Sequence, residues 1–300
     1  MGSELVRYDE GLTDSSRWDG FELRPGDIVI STPSKCGTTW LQMLCALLVF
    51  RTPQLPEPLT RLSPWLDMRL RPRAEVHEDL RRQRHRRLIK THTPLDGLPW
   101  DPRVSYVVAG RDPRDVAVSM EHHRANLDGP AIRRAFDALG SAGAASRSRP
   151  PARAATRRER LLAWVEGGGL EGLTWHLQTA WRREHEENLV LTHHADLSAD
   201  LPGQMRVLAD RLHITVPAAE WPGLVEAAGF DAMRRRARHL VPDEQLGLFQ
   251  DAGRFFRSGV AGQWREEFDD ELSQRYKRRL HQLVDPVRAQ WLHHGSRGSA

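Results

Sequence analysis

A single α/β domain, built on a parallel sheet flanked by helices, is predicted by three observations. Four short, mostly apolar, β-rich runs (residues 27–30, 88–92, 104–110 and 189–192) alternate with helix-like stretches, the pattern of a parallel sheet covered on both faces. Three polar side chains, Lys35, His92 and Arg111, stand at or just past the ends of the first three runs, where ligands bind in such sheets. The 300 residues, 39% of them hydrophobic, also suffice for one full core.

The first run, Asp27-Ile28-Val29-Ile30, enters the turn Ser31-Thr32-Pro33-Ser34-Lys35-Cys36-Gly37-Thr38-Thr39-Trp40 and then the helix-like residues 41–48. A strand, a small-residue turn carrying a lysine and hydroxyls, and a helix start together make a cradle for an anion, because free backbone N–H groups converge there. Lys35, Lys90 and Lys277 are the only lysines among 44 basic residues. A lysine kept in a tight loop of an arginine-rich chain points to a place that needs a compact charge and not a planar fork.

Residues 53–64 form a proline-rich connection and residues 71–87 a charged, helix-like stretch. Leu88-Ile89-Lys90-Thr91-His92 is the second strand, closed by Pro94. The third, residues 104–110, runs into Arg111-Asp112-Pro113-Arg114-Asp115. Asp112 before Pro113 marks a helix start, since an acidic cap followed by proline satisfies the free N–H groups. Residues 124–169 change character, with 140–160 rich in Ala, Ser, Gly, Arg and Pro, and read as a mobile lid or disordered insertion within the one domain 1–300. A helix over 170–187, the fourth strand and an amphipathic helix over 201–212 follow.

A formal charge of +4 with arginine clusters at 81–87, 153–160 and 234–238 fits an anionic ligand, an acidic partner or solvated helix faces. Aromatics interleaved with the basic residues are lacking, so nucleic acid is not expected. Cys36 and Cys45 flank a helix start nine positions apart, too far for a disulfide, so both are expected as thiols in a cytoplasmic protein. Cys36 is placed either for a lowered thiol pKa beside Lys35 or simply as a small residue filling the turn. Residues 1–20 lack an apolar signal core, and no run approaches a membrane span.

These motifs resemble those of the cytosolic-type sulfotransferases. The loop Thr32 to Trp40 is similar to that family's Tyr-Pro-Lys-Ser-Gly-Thr-Thr-Trp, and Lys90-Thr91-His92 to its Lys-Thr-His. Arg111-Asp112-Pro113-Arg114-Asp115-Val116-Ala117-Val118-Ser119 resembles its Arg-Asn-Pro-Lys-Asp-Val-Ala-Val-Ser, and Arg257-Ser258-Gly259-Val260-Ala261-Gly262-Gln263-Trp264 its Arg-Lys-Gly-x-x-Gly-Asp-Trp. The resemblance implies a P-loop-like sheet and in-line transfer of a sulfuryl group from 3′-phosphoadenosine 5′-phosphosulfate (PAPS) to a hydroxyl or amine of a small-molecule acceptor.

Under that resemblance Lys35, with Cys36, Gly37, Thr38 and Thr39 at the helix start, stabilises charge on the departing phosphate. Lys90 holds the transferring group and His92 is the general base. Arg111 and Ser119 bind the 3′-phosphate, with Arg257, Ser258 and Gly259 closing over it. Trp40, His194 and Phe230 border the adenine. The sulfonate carries a single charge, so no metal is expected. Pro33 comes one residue early, Cys36 stands for serine and Ser258 for a phosphate-touching lysine, which lowers the expected donor affinity. Residues 265–274 depart from the family's dimer motif, which leaves the oligomeric state open. A small-molecule or nucleotide kinase is the rival enzyme class, but its Gly-x-x-x-x-Gly-Lys order is absent. A non-catalytic anion-binding protein would leave His92 without a role. The acceptor pocket is expected from residues 21–24, 65–87 and 124–176; Trp65, Trp164 and Trp175 read first as core residues and otherwise as a flat aromatic wall to that pocket.

Overall fold

Every residue of the run Ile28-Val29-Ile30-Ser31 is buried, as a strand covered on both faces requires. In the computed structural model, which describes residues 5–138, 156–240, 247–257 and 259–296, this run is β1 (Ile28–Ser31) at the centre of the sheet. β2 (Leu88–Thr91), β3 (Ser105–Gly110) and β4 (Leu189–His193) complete the order β2-β1-β3-β4. All neighbours are parallel, with Ile30 paired to Lys90 and to Val107, and Gly110 to His193. This register brings the carboxyl ends of the strands to one edge, where the following loops gather. β2 and β3 are buried throughout, whereas the edge strand β4 is partly exposed.

The helix after β1, Thr38–Phe50, begins three residues ahead of its apolar run. Gly37 explains the early start, because its φ of 99° turns the chain directly into the helix, a conformation that a Cβ disfavours. Helix Pro113–Asn126 starts where Asp112 accepts a hydrogen bond from the Arg114 N–H at 2.9 Å. Helix Gly168–Trp181 ends six residues before the expected 187. Residues 182–185 leave no side chain in the core, so their helix-forming composition has no packing to support it.

The candidate lid 124–169 carries helices at both ends, Gly129–Ala138 and Arg157–Glu166, while 139–155 lies outside the described residues. Thr156 and Glu159 cap the second of these reciprocally. Many of the clustered arginines work within the fold. Arg87 forms a buried pair with Asp27, Arg157 meets Glu267 at 2.9 Å, and Arg158 meets Asp269 and Glu271 at 2.6 Å each. Arg86 donates to the carbonyls of Gly26 and Leu212, and Arg236 to that of Pro53. No helix among the described residues is long and apolar enough to cross a membrane.

Candidate functional site

A cavity of about 310 Å³ opens at the carboxyl edge of the sheet. The loop after β1 lines it with Lys35, Gly37, Thr38, Thr39 and Trp40, and the end of β2 with Lys90 and His92. Arg111 and Ser119 enter from the loop and helix after β3, and His194 from beyond β4. Phe230, Arg257 and Gly259 complete this wall from the last third of the chain. Of the site residues expected from the sequence, Cys36 does not face the cavity, and Ser258 lies outside the described residues.

Cys36 is 1% exposed, and burial pushes its thiol pKa up to about 12, outweighing Arg111 and Lys35. That overturns the lowered-pKa alternative, so Cys36 is a small residue filling the turn from behind. Cys45 is likewise buried and free.

Two backbone features shape the loop. Lys35 adopts φ 69° and Gly37 φ 99°, and no side chain caps the helix they introduce, so the first-turn N–H groups are left for an anion. Thr38 Oγ1 lies 2.6 Å from Thr32 Oγ1, bracing the turn. Burial, then the nearby charges of Arg111 and Lys90, lower the Lys35 pKa to about 8. Arg111 Nη1 donates to the Lys35 carbonyl at 3.1 Å, yet its Nε is buried with no partner among the described residues. A buried guanidinium N–H beside an uncapped helix start calls for a ligand oxygen.

His92 is held on three sides. Its Nδ1 lies 2.7 Å from the Thr32 carbonyl, its backbone N–H donates to Asp67 Oδ2 at 3.0 Å, and its ring meets Trp65 edge-on with centroids 4.9 Å apart. A carbonyl only accepts, so Nδ1 carries the proton and Nε2 is the basic nitrogen. Burial, then Lys90, lower the His92 pKa to about 3, so the ring is neutral at physiological pH. The Lys90 ammonium sits 3.8 Å from the centre of the Trp65 ring, a cation–π contact.

Asp67 was not legible as a site residue. Fully buried, it gathers on Oδ2 the hydroxyls of Thr91 (2.7 Å) and Thr93 (2.8 Å) and the N–H groups of His92 and Thr93 (3.0 Å each). The turn that carries His92 is therefore tied to one carboxylate. The available signal was an acid inside the apolar run Trp65-Leu66-Asp67-Met68.

The far wall is organised by contacts between distant segments. Trp40 donates through Nε1 to the Ala228 carbonyl at 2.9 Å and meets His194 edge-on at 5.4 Å. Gly259, with φ 65°, packs so tightly on Phe230 that a Cβ there would lie 2.5 Å from the ring. Asp115, 3% exposed, accepts from the N–H groups of Gly262 (2.7 Å) and Trp264 (3.2 Å), fastening this segment to helix Pro113–Asn126. Arg114 stacks on Trp264 at 3.6 Å.

The rest of the cavity is mostly apolar. Leu12, Trp65 and Leu70 contribute, with Met120 and Ile132 from the two helices within 113–138 and Leu127 from the connection between them. Met233, Leu248, Phe249, Phe255 and Phe256 add to it, and Ser34, Asp115, His123 and Gln263 are its further polar residues. Of the three tryptophans weighed as core or wall, only Trp65 lines the cavity. Trp164 is core, and Trp175 stands 37% exposed with its Nε1 donating to the Tyr8 hydroxyl at 2.7 Å. Residues 21–24 are also absent from the wall, because Phe21 packs on Trp18 and His77. No group of three or more metal-ligating side chains occurs among the described residues.

Residues 25–288 match the family model described as a sulfotransferase domain. The chain is 41% identical, over 317 aligned residues, to a glycolipid sulfotransferase of Mycobacterium bovis, covering 99% of this chain and 96% of that protein. It is 26% identical to sulfotransferase 1B1 of Mus musculus over 84% of this chain and 80% of that protein. Among solved structures, mouse sulfotransferase SULT7A1 complexed with PAP aligns with a TM-score of 0.69 at 20% identity, covering 96% and 97% of the two chains. Retinol dehydratase in complex with retinol and PAP aligns with a TM-score of 0.69 at 21% identity, covering 90% and 84%. At these identities the two structures share the fold.

Proposed function

The chain belongs to the sulfotransferase family, and on that premise we propose that it moves the sulfuryl group of PAPS to a hydroxyl of an amphipathic, glycolipid-like acceptor in a cytoplasmic setting. One observation carries the reading: a single cavity joins an anion cradle, with an unpaired Arg111 N–H and a neutral His92 in its wall, to an apolar chamber. The 41%-identical relative named a glycolipid sulfotransferase supports the amphipathic acceptor.

The residues fit the donor, which supplies a transferable sulfuryl group on a stable phosphate leaving group. Lys35, the first-turn N–H groups, Thr38 and Thr39 stabilise charge growing on the bridging oxygen. Lys90 holds the sulfonate oxygens. His92 Nε2 takes the acceptor's proton, while the Thr32 carbonyl accepts from Nδ1–H and steadies the imidazolium that forms. Arg111, Ser119, Arg257, Ser258 and Gly259 hold the 3′-phosphate, and Trp40, His194 and Phe230 border the adenine. Cys36 fills the loop without touching the donor.

Turnover of an alkyl glucoside with PAPS, against turnover with adenosine 5′-phosphosulfate lacking the 3′-phosphate, tests this assignment. PAPS should be used strongly in preference; equal use of both donors would sink the 3′-phosphate site.

Two further outcomes follow from the cradle. Lys35 titrates near 8 in the free protein, and a bound anion favours its charged form. From pH 7 upward, where the phosphates of the product nucleotide (PAP) are already largely ionised, PAP affinity should therefore weaken as pH rises through 8, by up to about tenfold per unit. Calorimetry between pH 7 and 9.5 checks this, and a flat profile contradicts it. Asp115→Asn removes the charge that fastens Gly262 and Trp264, so PAP affinity should fall by about tenfold. An unchanged dissociation constant would show that the segment needs no such tether.

A further inference from the structure

We propose that His123 selects the acceptor: its imidazole hydrogen-bonds a second hydroxyl beside the reacting one, favouring a polyol head such as a sugar ring over a lone hydroxyl on the same tail. This rests on the cavity holding donor and acceptor together, as set out above.

His123 follows Ser119 by four residues on helix Pro113–Asn126, so the two share a face, and both line the cavity. Its ring lies among the apolar residues of the chamber, with centroids 5.4 Å from Phe249 and 6.5 Å from Phe255. Neither ring nitrogen has a hydrogen-bond partner among the described residues, unlike His92, whose Nδ1 is fixed on the Thr32 carbonyl. Burial, then the facing charges of Lys35, Lys90 and Arg124, keep it neutral, with a pKa lowered to about 3.

A neutral imidazole offers one donor and one acceptor, and a hydroxyl can answer either. An acceptor without that hydroxyl would displace water from the imidazole and return nothing, which is the condition under which polar sites reject apolar analogues. Without a partner to steady its imidazolium, His123 is suited to recognition and not to proton abstraction.

His123→Phe keeps the ring's shape between Phe249 and Phe255. Initial rates with PAPS would be compared for octyl glucoside and 1-octanol, with PAP affinity as the folding control. The glucoside-to-octanol ratio of kcat/KM should fall by about 10- to 100-fold in the variant, chiefly through KM for the glucoside, with partial recovery in His123→Gln. An unchanged ratio overturns the role of His123 while leaving the sulfuryl-transfer reading intact. Wild-type protein that transfers label to neither probe while binding PAP overturns the acceptor reading beneath it.

Discussion

Replacing His92 with alanine is expected to lower kcat by about 10²–10⁴-fold while PAP binds with nearly wild-type affinity. The expectation comes from how the ring is held. The Thr32 carbonyl fixes the tautomer, the Asp67 carboxylate fixes the turn, and burial beside Lys90 keeps the ring uncharged. Because the pKa is lowered and not raised, the basic form persists as pH falls. The rate at saturating donor should thus show no loss near pH 6.5, where an unperturbed histidine would protonate. A His92→Ala enzyme that turns over normally, or an acid limb at 6.5 that vanishes with the mutation, would each contradict this account.

Arg111→Ala acts on the other half of the site. Its Nη1 holds the Lys35 carbonyl and its Nε is buried without a partner among the described residues, so truncation removes both a loop tether and the proposed anchor of the 3′-phosphate. Losing a charge-assisted contact in a largely buried setting costs about 2–4 kcal/mol, or roughly 30- to 1,000-fold in the PAP dissociation constant. Competition with 5′-AMP, which lacks the 3′-phosphate, separates the two effects. If PAP and 5′-AMP weaken equally, Arg111 serves the loop alone.

The proposed donor half was legible as a cluster because it is built from contiguous motifs at strand ends, which the fold brings to one cavity. Lys35, His92 and Arg111 each follow a run buried on both faces, and such runs announce themselves by composition. Ends were less legible: β1 extends to Ser31, whose hydroxyl donates to the Thr93 carbonyl at 2.7 Å, and the following helix starts early at Gly37. The acceptor half was barely legible. Leu12, Leu70, Ile132 and Phe249 are ordinary apolar residues in sequence, and only tertiary packing brings them to one chamber. Asp67 and Asp115 escaped notice for a related reason. Each serves backbone N–H groups at chain positions remote from its own, and nothing local in the sequence records that partnership. For Cys36, sequence position left a reactive thiol and a small space-filling residue both open, and burial decides for the second.

Sulfuryl transfer from PAPS in this cavity is the proposed reaction. Its most direct test is the passage of labelled sulfur from PAPS to an alkyl glucoside, run in parallel with and without a metal chelator. Labelled sulfate ester is expected at equal rates in both, about 10²–10⁴-fold more slowly in His92→Ala, with no phosphate transfer from ATP with magnesium. Unchanged glucoside with PAPS, or phosphorylation that the chelator abolishes, would contradict it.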